Sequence, residues 1–235
     1  MSRYVIGQQC GGLGDNLQFS TLPELLTKHG HEVFVSSKNV LRNSQTKKLV
    51  WEMNPYVSGF TDDDANLGWN PIYPTPMIYN LVSVWEKAYL GKIFNIYPKI
   101  YYNPCLRGDF VGKTILEFNT VTFNYDSAVE VLPSKIESHF EDQNVVIIDN
   151  SRVSRHSLRF DRFKSFKTYV PSDIFDFCDI IFSCKKYISL LSGGTILASA
   201  LRQNNLFPKL ICFCPQVDVN GRGWIFDNVD YFPVI

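Results

Sequence analysis

The sequence predicts an α/β protein of two lobes in tandem, each a parallel sheet with helices on its faces. Three observations carry this. Short apolar runs alternate with stretches of helical spacing, the pattern of parallel sheets. The alternation breaks at residues 98–112, which hold two prolines and two glycines, and restarts at Thr114. Each half also has a strand-like run leading into a glycine turn, Gly11-Gly12-Leu13-Gly14 in the first and Ser192-Gly193-Gly194-Thr195 in the second. The expected lobes are 1–105 and 106–235.

Taken in order, residues 3–6 read as the first strand, residues 8–14 as a turn, and a helix begins near Asp15. Pro23 either kinks that helix or marks a fresh start. Residues 31–36 are a second strand, introduced by Gly30 as a helix C-cap. Residues 38–52 are helical in character and 56–60 a short third strand. Residues 61–76 are polar, proline-rich and irregular. Residues 77–90 form a helix, with Leu81, Val84, Trp85 and Ala88 spaced for one face. In the second lobe, strands are expected at 114–118, 145–148, 187–191 and 210–214, with an edge strand at 231–234. Helices are expected at 127–140, at 172–179 with Ser172 as N-cap, and at 194–202.

Composition narrows the class. The 235 residues are 45% hydrophobic and 20% charged, which suits a globular chain and argues against disorder. Lys plus Arg and Asp plus Glu balance at 23 each, unlike a protein that coats nucleic acid without specificity. No apolar run reaches about 18 residues, so no membrane span is expected, and the apolar start is too short for a secretion signal. The cysteines Cys10, Cys105, Cys178, Cys184, Cys212 and Cys214 form no Cys-x-x-Cys pair and suit no common zinc site. Cys212 and Cys214 alternate in a strand, so both point to one face as buried thiols. A reducing, cytoplasmic location follows.

Three segments can carry chemistry. In the first, Gly11, Gly12 and Gly14 allow a tight turn and close approach of a ligand, and Asn16 stands just beyond them. Asp15 lies at the helix start, where free amides favour a carboxylate that can accept a proton, or that only caps the helix. In the second, the amides of Gly193, Gly194 and Thr195 face out of a helix start toward an anion. The hydroxyls of Ser192 and Thr195 can add hydrogen bonds, and a diphosphate fits. The third, residues 149–167, holds Arg152, Arg155, Arg159, Arg162, Lys164 and Lys167. It follows a strand, at the carboxyl edge where open α/β sheets bind ligands, and one or two of its guanidinium groups can grip phosphate. Gly112-Lys113-Thr114 is not a phosphate loop, because it precedes a strand. Asp62-Asp63-Asp64 reads as a solvated loop.

The run Gly-Gly-Leu-Gly-Asp-Asn-Leu, with Pro23 eight residues after Asp15, resembles the opening of the heptosyltransferase-like glycosyltransferases. Ser192-Gly193-Gly194-Thr195, followed by Leu197-Ala198-Ser199-Ala200-Leu201, resembles that family's donor-lobe motif. The resemblance implies two Rossmann-like lobes facing a central cleft, the glycosyltransferase B architecture in compact form. It implies that Asp15 is the general base for an acceptor hydroxyl and that the second-lobe turn binds the donor diphosphate. It places Asn119, Thr120 and Thr122, after the first strand of that lobe, near the phosphates. The chain departs from the family at Leu191 and Ile196, where an acidic residue and a histidine are common, and the departure points to a sugar other than heptose.

The expected function is therefore a metal-independent glycosyltransferase using a nucleoside-diphosphate sugar, with no further cofactor. Donor binding falls to Asn119, Thr120, Arg152 and the Ser192–Thr195 turn. The favoured acceptor is a carbohydrate. A hydroxylated base in viral DNA is the alternative acceptor, supported by the basic segment. A non-catalytic module that binds nucleotide-sugar or polysaccharide is the alternative from outside enzymology.

Overall fold

The computed structural model describes residues 1–7, 10–39, 41–68, 80–119, 125, 128–141, 144–150, 158–202, 208–214 and 226–234. The chain divides into two compact units, 1–103 and 104–235. Each has its own parallel sheet.

In the first unit the sheet is β1 (Arg3–Gly7), β2 (Glu32–Ser36), β3 (Gly59–Thr61) and β4 (Leu67–Gly68), in the order β3-β2-β1-β4. Every described pairing is parallel. The two-residue β4 falls where an irregular stretch was expected. Its pairing depends on close approach, because a Cβ on Gly68 would stand 2.4 Å from the Gly7 carbonyl oxygen. Residues 69–76 of that stretch lie outside the described residues.

Helix α1 (Leu13–Leu17) starts two residues before Asp15, with Gly12 as its N-cap. Pro23 marks a fresh start: it sits in the first turn of α2 (Leu22–Lys28), where its missing N–H costs nothing. Gly30 follows that helix at φ 82°, a left-handed conformation that suits glycine. The helical stretch expected at 38–52 is shorter. Asn43 caps α3 (Ser44–Lys47) by accepting from Thr46 N at 2.8 Å, and a π-turn at Lys48–Glu52 follows. Helix α4 (Leu81–Leu90) runs from the Asn80 cap to Gly91, which stops it at φ 69°.

The second unit holds β5 (Thr114–Glu117), β6 (Val145–Ile148), β7 (Lys167–Tyr169), β8 (Lys186–Leu190), β9 (Lys209–Cys214) and β10 (Asp230–Pro233). Their order is β10-β9-β8-β5-β6-β7, all parallel. Short β7 was not expected from the sequence, since its three residues are largely exposed and carry no apolar run. Helix α5 (Leu132–Glu137) is less than half the expected 127–140 stretch. Helix α6 (Ile174–Ser183) is capped by Asp173 and not by Ser172. The Asp173 carboxylate accepts from Phe175 N and Asp176 N, while Ser172 N donates to Asp176 Oδ2 at 2.9 Å. Helix α7 (Gly193–Leu201) completes the unit.

The core of this unit is aromatic and aliphatic, with Leu116, Phe118, Phe163, Ile188, Leu190 and Phe213 almost fully buried. Cys212 and Cys214 are buried thiols outside any disulfide, as their alternation predicts.

Candidate functional site

The strand order fixes where a ligand can sit in the second unit. The order in which strands are added reverses between β5 and β8, and the crevice at the carboxyl ends of such a strand pair is the usual binding place in open parallel sheets. Two segments meet there: Glu117 to Asn119 leaving β5, and Ser192 to Thr195 leaving β8.

The Ser192–Thr195 turn is a capped helix start. Ser192 has extended backbone, φ −155°, and its Oγ accepts from Gly194 N at 3.1 Å. Ser192 N donates back to Thr195 Oγ1 at 3.4 Å, closing a capping box. The expectation that the Thr195 hydroxyl serves a ligand needs correction. Thr195 is 1% exposed, and its Oγ1 bonds the Leu190 carbonyl and the Ser189 hydroxyl, each at 2.9 Å. The Gly194 amide is likewise engaged by the Ser192 cap. What the turn keeps for an anion is the Gly193 amide, at the first helical position, together with the positive end of a nine-residue helix.

Beneath this turn lies a residue that the sequence reading passed over. Glu117 is 2% exposed at the end of β5. Its Oε2 accepts from Tyr187 Oη at 3.0 Å and from Ser192 Oγ at 3.1 Å, and its Oε1 accepts from Asn119 Nδ2. Burial pushes its acid up to about 7, against the lowering effect of those three donors. Gly194 is glycine because of this packing: a Cβ there would stand 2.7 Å from both Glu117 Oε2 and Tyr187 Oη. Asn119 is 4% exposed, and its Oδ1 is buried without a hydrogen-bond partner among the described residues. The signal that could have found Glu117 is an acid directly after the apolar residues Ile115 and Leu116 at a strand's carboxyl end.

A cavity of about 310 Å³ opens at the carboxyl end of β6 beside this cluster, lined by Phe118, Ile148, Asp149, Arg159, Phe160 and Thr168 among others. It gives the basic segment one described ligand candidate, Arg159. Arg162 and Lys164 are exposed and paired to Glu137 and Asp161. Thr120, Thr122, Arg152 and Arg155 lie outside the described residues.

In the first unit, Gly11, Gly12 and Gly14 are buried around the turn into α1. Asp15 is half-buried, and its Oδ2 accepts from Gly12 N at 3.1 Å, so it does cap its own helix. A Cβ on Gly12 would stand 2.6 Å from that oxygen, which is why the position is glycine. Burial raises the Asp15 acid, while the Gly12 bond and the charge of Arg42 pull it back only in part. Asn16 does not belong to the loop surface. It is fully buried, donating to the Gly12 carbonyl and accepting from Trp51 Nε1, both at 2.8 Å. Gln18 repeats the pattern, donating to the Asp15 carbonyl at 2.9 Å and accepting from Trp85 Nε1 at 2.6 Å.

Among the described residues no group of three or more His, Cys, Asp or Glu is placed to hold a metal ion. Asp63 and Asp64 of the acidic triplet pair with Arg3 and Lys38 at the surface.

No family model matches the sequence, and no curated protein aligns with it significantly. Solved structures share the fold. The dodecameric iron-containing glycosyltransferase TibC of enterotoxigenic E. coli superposes with a TM-score of 0.57 at 12% identity, over 89% of this chain and 57% of its own. The chain thus spans a little over half of that protein. The E. coli ADP-heptose LPS heptosyltransferase II superposes at 0.56 with 11% identity, over 100% of this chain and 91% of its own. A glycosyl transferase family 9 protein from Veillonella parvula gives 0.53 at 9% identity, over 90% and 79%. The resemblance read from the two glycine motifs is thereby met at the level of fold: the chain has the two-sheet α/β fold of the heptosyltransferase-like, glycosyltransferase B proteins.

Proposed function

We propose that the chain is a glycosyltransferase that moves a sugar from a nucleoside-diphosphate sugar to a hydroxyl group, most simply of a carbohydrate. The observation that carries this is the helix start of α7 at the switch point of a six-stranded parallel sheet, in a fold shared with sugar-transferring proteins. The Gly193 amide and the helix dipole take charge on the diphosphate. The cavity beside Phe118 and Phe160, at about 310 Å³, has the volume for a planar base, and Arg159 in its lining adds positive charge.

In the reaction, the acceptor oxygen attacks the anomeric carbon, the bond to the diphosphate oxygen breaks, and Asp15 takes the acceptor's proton. A raised acid makes Asp15 a stronger base than an ordinary surface aspartate. The helix terminus stabilises the charge gathering on the leaving diphosphate, so this reading assigns no metal or further cofactor.

A second reading has its own observation. Because Asp15 Oδ2 is held by the Gly12 amide, a module that binds nucleotide-sugar without catalysis uses the same donor site. The DNA-acceptor reading gains nothing from Arg162 and Lys164, which are already paired.

The test is a thermal-shift screen against UDP-, GDP-, ADP- and CMP-sugars, followed by donor hydrolysis with whichever stabilises the chain. Stabilisation with slow release of sugar to water supports the transferase. Stabilisation without any release supports the binding module. No stabilisation by any of the panel sinks both.

A further inference from the structure

The donor site contains an apparent contradiction. A buried carboxylate and an incoming diphosphate are both anionic, yet Glu117 Oε2 lies 3.1 Å from the hydroxyl of Ser192, the residue that caps the proposed phosphate-binding helix. Resting on the donor site proposed above, we propose that Glu117 is a positioning residue that must be the neutral acid when the diphosphate is bound, so that donor binding takes up one proton from solvent.

The surrounding groups support this from each packed element. From β8, the Tyr187 hydroxyl donates to Glu117 Oε2, and Ser189 is the register partner. From the α7 start come Ser192 and the close approach of Gly194. From β9, Cys212 lies near enough for the Glu117 charge to disfavour its thiolate, which burial already opposes. From β6, the register partner is Ile148. On its own segment Glu117 meets Asn119. Every side chain in this set is neutral, and among the described residues no cationic side chain packs on Glu117 to balance its ionised form beside a diphosphate.

The place for the proton is marked independently. Asn119 Nδ2 donates to Glu117 Oε1, while Asn119 Oδ1 is buried with no partner among the described residues. Once Glu117 carries a proton, a half-turn of the Asn119 amide brings Oδ1 to accept the acid O–H. The same turn satisfies the orphaned oxygen and puts Nδ2 in its place. The geometry therefore couples the proton on Glu117 to the orientation of the Asn119 amide. A carboxyl titrating at about 7 makes the switch available near neutrality.

The experiment is calorimetric titration of the intact chain with ADP-heptose and UDP-glucose between about pH 6.5 and pH 8.5, in buffers of differing ionisation enthalpy. Both probes carry diesterified diphosphates, which do not titrate in that range. The expected result is affinity falling about tenfold per pH unit above the point where Glu117 ionises, with up to one proton taken up per molecule bound. In Glu117→Gln, which is neutral at every pH, both the slope and the uptake should vanish. Tight binding with no uptake in the wild-type chain, or an unchanged slope in the variant, overturns the proposal.

If neither probe binds at any pH, the failure belongs to the donor assignment, and melting decides Glu117 alone. An acid raised in the folded state contributes stability below its unfolded value, 4.5, that is lost as pH rises through about 7. The melting temperature of Glu117→Gln should then gain on the wild type between about pH 5 and pH 8. No gain over that range overturns the neutral-acid assignment.

Discussion

Gly12 and Gly194 show how single missing methyl groups shape both motifs. Neither has a positive φ; each is glycine because a carboxylate comes within 3 Å of where its Cβ would be. At Gly194 two fixed partners, Glu117 Oε2 and Tyr187 Oη, converge on that point, and neither can move without breaking a buried hydrogen bond. Gly194→Ala should therefore cost roughly 1–3 kcal/mol of stability, as overpacking does, read from the denaturant midpoint at unchanged slope. A midpoint equal to the wild type would mean that the cluster yields. Asp15 poses a different question, cap or base. Asn keeps the shape and an accepting oxygen for the Gly12 amide but cannot take a proton. Asp15→Asn should keep the fold while slowing sugar transfer by roughly 10²–10⁴, the range for a lost general base. Transfer at the wild-type rate would leave Asp15 as a cap alone.

At the scale of elements, α1 is five residues long and cannot persist on intrinsic helicity. It is held by two tryptophans. Trp51 from the π-turn bonds Asn16, Trp85 from α4 bonds Gln18, and Phe19 stacks on Trp85 with ring centres 5.1 Å apart. These amides reach back to the Gly12 and Asp15 carbonyls, so the glycine turn is fixed from below by buried side chains. Asn16→Ala leaves the Trp51 N–H and the Gly12 carbonyl without those partners. The expected loss is about 1–3 kcal/mol, and Asp15-dependent transfer should fall with it. Stability within a few tenths of a kcal/mol of the wild type would show that water replaces the amide. Strand and helix positions with strong apolar patterning, such as β6 and β9, were legible in the sequence. The exposed β7 and the two-residue β4 were not, because their pairing comes from neighbours and not from their own residues.

At the scale of the whole molecule, two acids pull stability in opposite directions with pH. In the first unit, burial works to raise Glu24, but hydrogen bonds from Lys28, Lys99 and Tyr101 outweigh it and hold the acid at about 2. A lowered acid contributes stability above its unfolded value, 4.5, and loses it as pH falls toward about 2. Glu117 in the second unit has the opposite sign and loses its contribution as pH rises from 4.5 to about 7. The melting temperature should therefore fall on both sides of mildly acidic pH. Glu24→Gln should flatten the acid side and Glu117→Gln the neutral side. Melting curves from about pH 3 to pH 8 check this, and an acid limb unmoved by Glu24→Gln would discount the Lys28–Lys99–Tyr101 cluster.

The sequence by itself determined what short-range chemistry controls: the strand–helix alternation, the glycine turns after a strand, the C-cap at Gly30, and the burial of Cys212 and Cys214. Tertiary structure alone decided which side chains in those motifs remain open to a ligand. Asn16 and Thr195 read as site residues in one dimension, yet their polar atoms are consumed by Trp51, Ser189 and the Leu190 carbonyl. Glu117 reads as the end of a strand, and becomes the floor of the candidate site only when β5 lies beside β8, seventy residues away from Tyr187 in sequence. The physical reason is that a hydrogen bond joins atoms about 3 Å apart in space, and parallel strands bring together residues whose separation along the chain carries no local trace.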